Sequence, residues 1–569
     1  MVSQPDDNKY KDKGYPHPYL GGGHYLHGVG EKPRTLTELA MCHLSASIRA
    51  VDGWWEKYKD PNIRQSWMNN ALKTSIQVPS GYQDLPAGSV LGHRPSRQVQ
   101  VKLSAKQVEY VLDELEGYDA LRDDVNRWQV FSLSCFDRIW QSDAILSEEN
   151  LCSLNTSFDA LDAPPDITYP SMIRRLIDPT ASPLVYNSTL VYDPDTPGLL
   201  RPEPSPDPSP DGLSGYTIST HSALLPADFR VSPTGDVSSI SYIPDLYPPP
   251  APSRLYDHIT TLLTASIPLF EHVLTDLHRT NPMPHRIPGT YRYTDKPPEQ
   301  DDHTWVNRQE QYCKWSKPQH WVMLPDVPDE GYSGGLEDRR CYVKLTDRTV
   351  QVITEMCEVQ LNRWHPSYGG TDDWHIKGMK NESIVACITY FPLLENVTGG
   401  SITFRTAVTF PKPILRDDSE GVRKTWDLGY GDPCNQILGT VSAREGRAIA
   451  WPNIYSHRFH MPFRLADPSK EGRLRIMTFW LVDPDVSVVS TARVPPVTKK
   501  WVRRALEEAL VERVPVEIIE RIVDFVPGLL DEAEVEKVRR KVKEQRRRFM
   551  DSNERLYFEV PYYIKKAWR

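Results

Sequence analysis

Two stretches carry residue types whose spacing suits metal chemistry. One is TDDWHIKGMKNESIVACITYF, beginning at Thr371, and the other is ILGTVSAREGRAIAWPNIYSHRF, from Ile437 to Phe459. A non-haem iron site of the oxygenase kind needs two imidazoles and usually one carboxylate on one face of the metal, which leaves the remaining positions for cosubstrate and dioxygen. Strands deliver such a set well. Residues i and i+2 of a strand point to the same side, so an H-x-D or H-x-E pair presents nitrogen and oxygen together, and a later strand brings the second His. The first stretch begins such a strand, and the second has another His near its end.

The elements that would hold these strands follow from periodicity. After Gln319 the chain turns to short β-like runs, HWVMLP, VQVITEMCEVQL, SIVACITYF, SITFRTAV, ILGTVSA, RAIAWP and IMTFWLV, separated by Gly, Pro, Asn and Asp. Many short strands at this spacing predict a sandwich or jelly roll. Before them the pattern is helical. Residues 36–76 repeat apolar positions at helical spacing, a helix is predicted from Ser104 behind an S-A-K-Q capping box, and another spans Ser253–Arg279 with a kink at Pro268. The tract DPDTPGLLRPEPSPDPSPD at 193–211 predicts an exposed loop, with further breaks at 247–252 and 282–298. Two charged helices are predicted at 499–513 and 531–550. The second is strongly basic, and Val535, Val538 and Val542 on one side predict a solvated helix docked by a narrow stripe rather than a nucleic-acid arm.

Composition narrows the class. A net charge of −9 over 569 residues argues against a general nucleic-acid or membrane-surface binder. No run approaches a signal peptide or a membrane span, so an intracellular, cytoplasmic protein is expected, and the sequons at Asn155, Asn187, Asn381 and Asn396 are read as chance matches. Eight scattered cysteines without a C-x-x-C pair read as reduced thiols.

Several blocks resemble a known family. RTLTELAMCHL, WHIKGMKNESIVA, ENVTGGSITFR, QILGTVSAREGRAIAWPN, SHRFHMPFRLADPSKEGR, FWLVDPD and ARVPP are similar, over nearly the whole chain, to the largely fungal domain-of-unknown-function family numbered 4246. The resemblance implies a cupin-like jelly roll with an Fe(II) and 2-oxoglutarate site. It also implies His375 as the first metal ligand, His457 as the distal ligand, and Arg475 or Arg473 as the anchor of the cosubstrate carboxylate. Arg405 in ITFR is a second candidate for an inward-facing cation.

The chain departs from its relatives at two places that touch this chemistry. They read W-H-x-E-G and G-H-R-K, whereas this sequence has W-H-I-K-G, with Lys377, and G-R-L-R, with Leu474. A protonated lysine has no lone pair and would repel a ferrous ion. Three readings stay open: Asp373 or Glu382 replaces the lost carboxylate, a two-His site keeps an open position beside the ammonium, or the metal site has decayed and the fold binds a ligand or partner without turnover. His365 and His460 read as packing residues, Trp374 and Trp451 as core, and Arg405 and Arg475 equally as structural ion pairs.

The expected protein is α+β, with a double-stranded β-helix (jelly-roll, cupin-like) core at 310–490 between a helical, proline-rich region at 1–300 and a helical region at 491–569. Its expected activity is that of an oxygenase acting on a small organic molecule and dioxygen. The alternatives are a non-catalytic binding protein on the same fold and a metal cupin enzyme that does not use 2-oxoglutarate.

Overall fold

The computed structural model describes residues 14–19, 30–79, 98–124, 130–161, 172–196, 198–207, 217–247, 254–283, 285–294, 321–339, 342–370, 373–414, 418–510 and 513–563. Cys313, Cys341, most of the break at 247–252 and residues 208–211 of the proline-serine tract lie outside them.

Nine helices are used below: α1 (Leu36–Arg49), α2 (Pro61–Lys73), α3 (Ala105–Ala120), α4 (Glu148–Asp159), α5 (Arg254–Leu277), α6 (Ser419–Trp426), α7 (Lys499–Ala509), α8 (Val516–Phe525) and α9 (Glu532–Asn553). The capping box at Ser104 forms as its sequence requires. The Ser104 hydroxyl accepts the Gln107 N–H, the Gln107 side chain accepts the Ser104 N–H, and Val108, Val111, Leu112 and Leu115 are buried. Helix α5 runs through Pro268 and buries Ile259, Leu262, Leu263, Phe270 and Val273 against the sheet described next.

Eight strands carry the β region: β1 (Thr349–Leu361), β2 (Ser367–Tyr368), β3 (Ile384–Glu395), β4 (Val397–Ala407), β5 (Asn435–Ser442), β6 (Ala448–Pro452), β7 (Tyr455–Leu465) and β8 (Gly472–Val482). All their pairings are antiparallel. In the large sheet the order is β1-β8-β3-β6, and in the small sheet it is β2-β7-β4-β5. The large sheet continues into the N-terminal half. Ala227–Val231 and Ile173–Ile177 both pair with β1, and Trp140–Ser142 pairs with β6. The region before residue 300, read as helical, therefore also supplies strands to the sheet.

Two other differences have simple causes. Leu200–Pro202, inside the tract read as a loop, pairs with Leu190–Tyr192, because a proline at a strand end gives up no hydrogen bond the pair needs. Helix α8 had no sequence prediction, since its β-branched run VEIIERIV does not favour helix by propensity alone. The basic helix α9 docks as expected. Val542 is buried, Val538 packs on the main core, and Arg539 and Arg546 reach back to Asp178 and Glu382.

Among the described residues no helix is long and apolar enough to cross a membrane. Six cysteines, Cys42, Cys135, Cys152, Cys357, Cys387 and Cys434, are free thiols. The Asn155, Asn381 and Asn396 side chains each hydrogen-bond within the chain.

Candidate functional site

The segment after β2 crosses the start of β7, and the two histidines meet there. His375 and His457 form a two-residue antiparallel bridge. The His375 N–H donates to the His457 carbonyl at 3.1 Å, the reciprocal bond is 3.0 Å, and the ring centroids are 4.2 Å apart. The His375 Nδ1 lies 3.0 Å from the Asp373 carbonyl oxygen, which can only accept, so Nδ1 carries the proton and Nε2 keeps its lone pair. His457 is buried, and its Nδ1 has no hydrogen-bond partner among the described residues. Burial, with the Lys377 ammonium adding to it, holds His375 down at about 3, and burial also holds His457 far below the usual imidazole range.

The next residues fix Lys377 in place. The Asn453 Oδ1 accepts the Lys377 N–H at 2.8 Å, while its Nδ2 donates to the Lys377 carbonyl at 2.7 Å and to the Ile384 carbonyl at 3.0 Å. Tyr19 donates to the same Lys377 carbonyl. The chain then turns at Gly378, where φ is +72° and a Cβ would lie 2.4 Å from Ile384 Cδ1, so only glycine fits. The Lys377 ammonium ends 5.0 Å from the Trp480 ring centroid and 3.9 Å from Glu355 Oε2, a carboxylate shared with Arg175.

Strand pairing identifies the residues that share this space. Residues directly opposite on antiparallel neighbours project to one face. Cys387 lies opposite both Trp451 and Trp480, Glu355 lies opposite Thr478, and Thr389 also lies opposite Thr478. Trp451 is 4.7 Å from the His457 ring and 5.3 Å from Phe404 of the small sheet. The His pair, Lys377, Glu355, Trp451 and Trp480 thus line the interval between the two sheets. A cleft of about 510 Å³ between α4 and α5, lined by Ser147, Asn150, Thr261, Thr264 and Glu271, shares no residue with them.

Other expected site residues lie elsewhere. Along β8 the even-numbered residues Leu474, Thr478 and Trp480 face inward, so Arg473 and Arg475 face outward. There Arg475 is 1% exposed, donating from Nε to Glu358 at 2.8 Å and from Nη1 to the Asn155 carbonyl at 2.8 Å, and pairing with Asp159. Arg473 pairs with Asp159 at 2.6 Å and with Glu395 at 3.3 Å. The inward residue at this level is Leu474.

Glu382 is buried, accepts the Leu224 and Met379 N–H groups and pairs with Arg546, so it works as a structural anchor for α9. Asp373 is exposed and reaches His375 through its backbone. Arg405 lies beside Ser456 on the other face of the small sheet, pairs with Glu554 and stacks 4.4 Å from Trp374. Among the described residues no three His, Cys, Asp or Glu side chains come together as a metal site. Sequence reasoning missed Asn453, Glu355 and Trp480. Asn453 stands in the block AIAWPN and Trp480 in the block FWLVDPD, both of which carry the family resemblance, whereas no local motif marks Glu355.

Comparison with known proteins agrees with the resemblance. The model of a family described as a protein of unknown function, DUF4246, matches residues 105–505, and the model of its N-terminal domain matches residues 2–70. No curated protein matches. Among solved structures, the chain is similar to the Fe(II)/(alpha)ketoglutarate-dependent dioxygenase TqaL, with 8% identity, a TM-score of 0.26, and 61% of this chain and 80% of that one covered. It is also similar to a bsmA homolog from Methylobium petroleophilum PM1, with 9% identity, a TM-score of 0.22, and 58% and 81% covered.

Proposed function

The chain belongs to the DUF4246 family of proteins of unknown function, and from that premise we propose that it is a small-molecule-binding protein on an oxygenase-type double-stranded β-helix whose iron chemistry has been lost. The strand order supports the fold. Taken in sequence, β1 to β8 fall into the orders 1-8-3-6 and 2-7-4-5, the wrapping of a jelly roll in which successive hairpins cross between two sheets.

One observation carries the loss of iron chemistry. The residue two places after His375, where the family resemblance implies a carboxylate, is Lys377, and its ammonium lies over the Trp480 ring on the inner face of the large sheet. A divalent cation placed there would meet a like charge, and among the described residues no carboxylate or thiol joins the two histidines in a three-residue metal set. The donor set therefore does not fit Fe(II). The same holds for 2-oxoglutarate, since the inward residue at the anchor level is Leu474 and the neighbouring arginines are consumed by outward ion pairs.

A second reading keeps a two-His metal enzyme, acting on a small organic molecule with dioxygen. Its support is the lone pair on His375 Nε2 and the unpartnered Nδ1 of buried His457.

Calorimetric titration with ferrous ion under anaerobic conditions separates the two. Wild type should show no stoichiometric binding, and Lys377→Glu should gain it, because the substitution exchanges a repelling charge for an oxygen ligand. Succinate release from 2-oxoglutarate should be absent in wild type. Tight iron binding by wild type that is lost in His457→Ala would favour the two-His enzyme.

A further inference from the structure

We propose that the space beside Lys377, between the two sheets, is a binding site for a small carboxylate anion held by the lysine ammonium and the indole N–H groups of Trp451 and Trp480. This rests on the reading that no iron occupies the site, and it names the ligand class that replaces it.

The inference starts from unsatisfied donors. Trp451 is fully buried and Trp480 is 6% exposed, yet among the described residues the Nε1 of each has no hydrogen-bond partner. A buried indole N–H normally finds an acceptor, and leaving one bare is destabilising. Both indoles stand on the inner face of the large sheet, flanking Cys387 on adjacent strands. Lys377 adds an ammonium over the Trp480 ring, with only about one fifth of its side chain exposed. Among the described residues that ammonium donates no hydrogen bond, and its one ion partner, Glu355, sits at the 3.9 Å limit and is shared with Arg175.

Among the groups here without a partner, the two indole N–H groups and the ammonium are donors, one of them a cation, and they stand beside the lone pair of His375 Nε2. A matching ligand must accept hydrogen bonds and carry negative charge, which excludes amines and favours a carboxylate. The remaining surroundings select for size. Cys387, Phe404 and the two indole rings offer apolar walls, which suit a short aliphatic tail rather than a second charge.

Acetate serves as the probe and acetamide as its neutral isostere, in EDTA-treated full-length protein, read by thermal shift and intrinsic tryptophan fluorescence. Acetate should raise the Tm saturably and acetamide should not. Lys377→Met should weaken acetate binding about tenfold or more, as expected for removing a charged hydrogen bond. Trp480→Phe keeps the ring and fold but removes the N–H, and should weaken it about threefold to tenfold. Equal effects of acetate and acetamide, or unchanged acetate affinity in Trp480→Phe, would overturn the proposal. Its failure is distinguishable from failure of the iron-free reading. Wild type that binds neither ferrous ion nor acetate removes only the anion, whereas stoichiometric ferrous binding removes the reading on which the anion rests.

Discussion

Two buried polar clusters in this protein are built on opposite plans. Around Arg286, in the N-terminal half, the guanidinium donates to Glu114 at 2.9 Å, to Asp137 at 3.1 Å and to the Tyr118 hydroxyl at 2.6 Å, while its backbone N–H donates to Glu38 at 2.9 Å. Arg34 pairs with Glu38 and holds its carboxyl down at about 2 against the raising effect of burial. Around Lys377 an ammonium and two indoles have donors to spare. The first cluster is finished by the chain alone and reads as architecture, joining α1, α3 and the segment before β1. The second is complete only with something added, which is how a site differs from a core network.

The largest expected effect breaks the first cluster. Arg286→Met should remove about 3–5 kcal/mol of stability, because it leaves buried carboxylates without their counter-charge. Urea denaturation measures this, and a loss below 1 kcal/mol would mean that water reaches the cluster. Arg475→Leu tests the outer face of β8 in the same way. It should cost about 1–3 kcal/mol, because Glu358 loses its closest cation and keeps Arg174, while leaving acetate affinity unchanged.

Lys377→Met should behave in the opposite sense. Its stability change should stay within about 1 kcal/mol, since no hydrogen bond inside the chain is lost. A loss as large as that of Arg286→Met would merge the two clusters into one class.

The contrast explains what could be read from the sequence. His375 and His457 were legible because short motifs flank each, and the two do meet across 82 residues. Register was not legible. Assigning Arg475 rather than Leu474 to the inner face of β8 is an error of one residue, and in a strand one residue reverses every side chain. Glu355 and Trp480 come from strands joined only by tertiary pairing, so no spacing announces them. The capping box at Ser104 and the valine stripe of α9 were legible for the opposite reason, since each is a local pattern with a local cause.

A further effect, confined to acid pH, lies in α1. Burial alone holds His43 down at about 4, so the unfolded chain takes up a proton there between pH 6.5 and 4 that the folded chain refuses. Stability from this group is whole above pH 6.5 and falls as the pH drops through that window, by up to about 1.4 kcal/mol per pH unit. His43→Gln should flatten the acid limb of a stability–pH curve, and an unchanged slope would show that His43 is hydrated.

The pairing of Glu382 with Arg546, 164 residues downstream, and of Arg405 with Glu554, 149 residues downstream, bears on how the chain is made. During synthesis both β-region charges emerge long before their partners. Until residues 546 and 554 emerge, Glu382 and Arg405 lack these partners. These two ion pairs can therefore close only after residues 546 and 554 have been made, late relative to the sheet pairing they brace. A chain stopped before residue 546 would therefore carry both charges without these counter-charges.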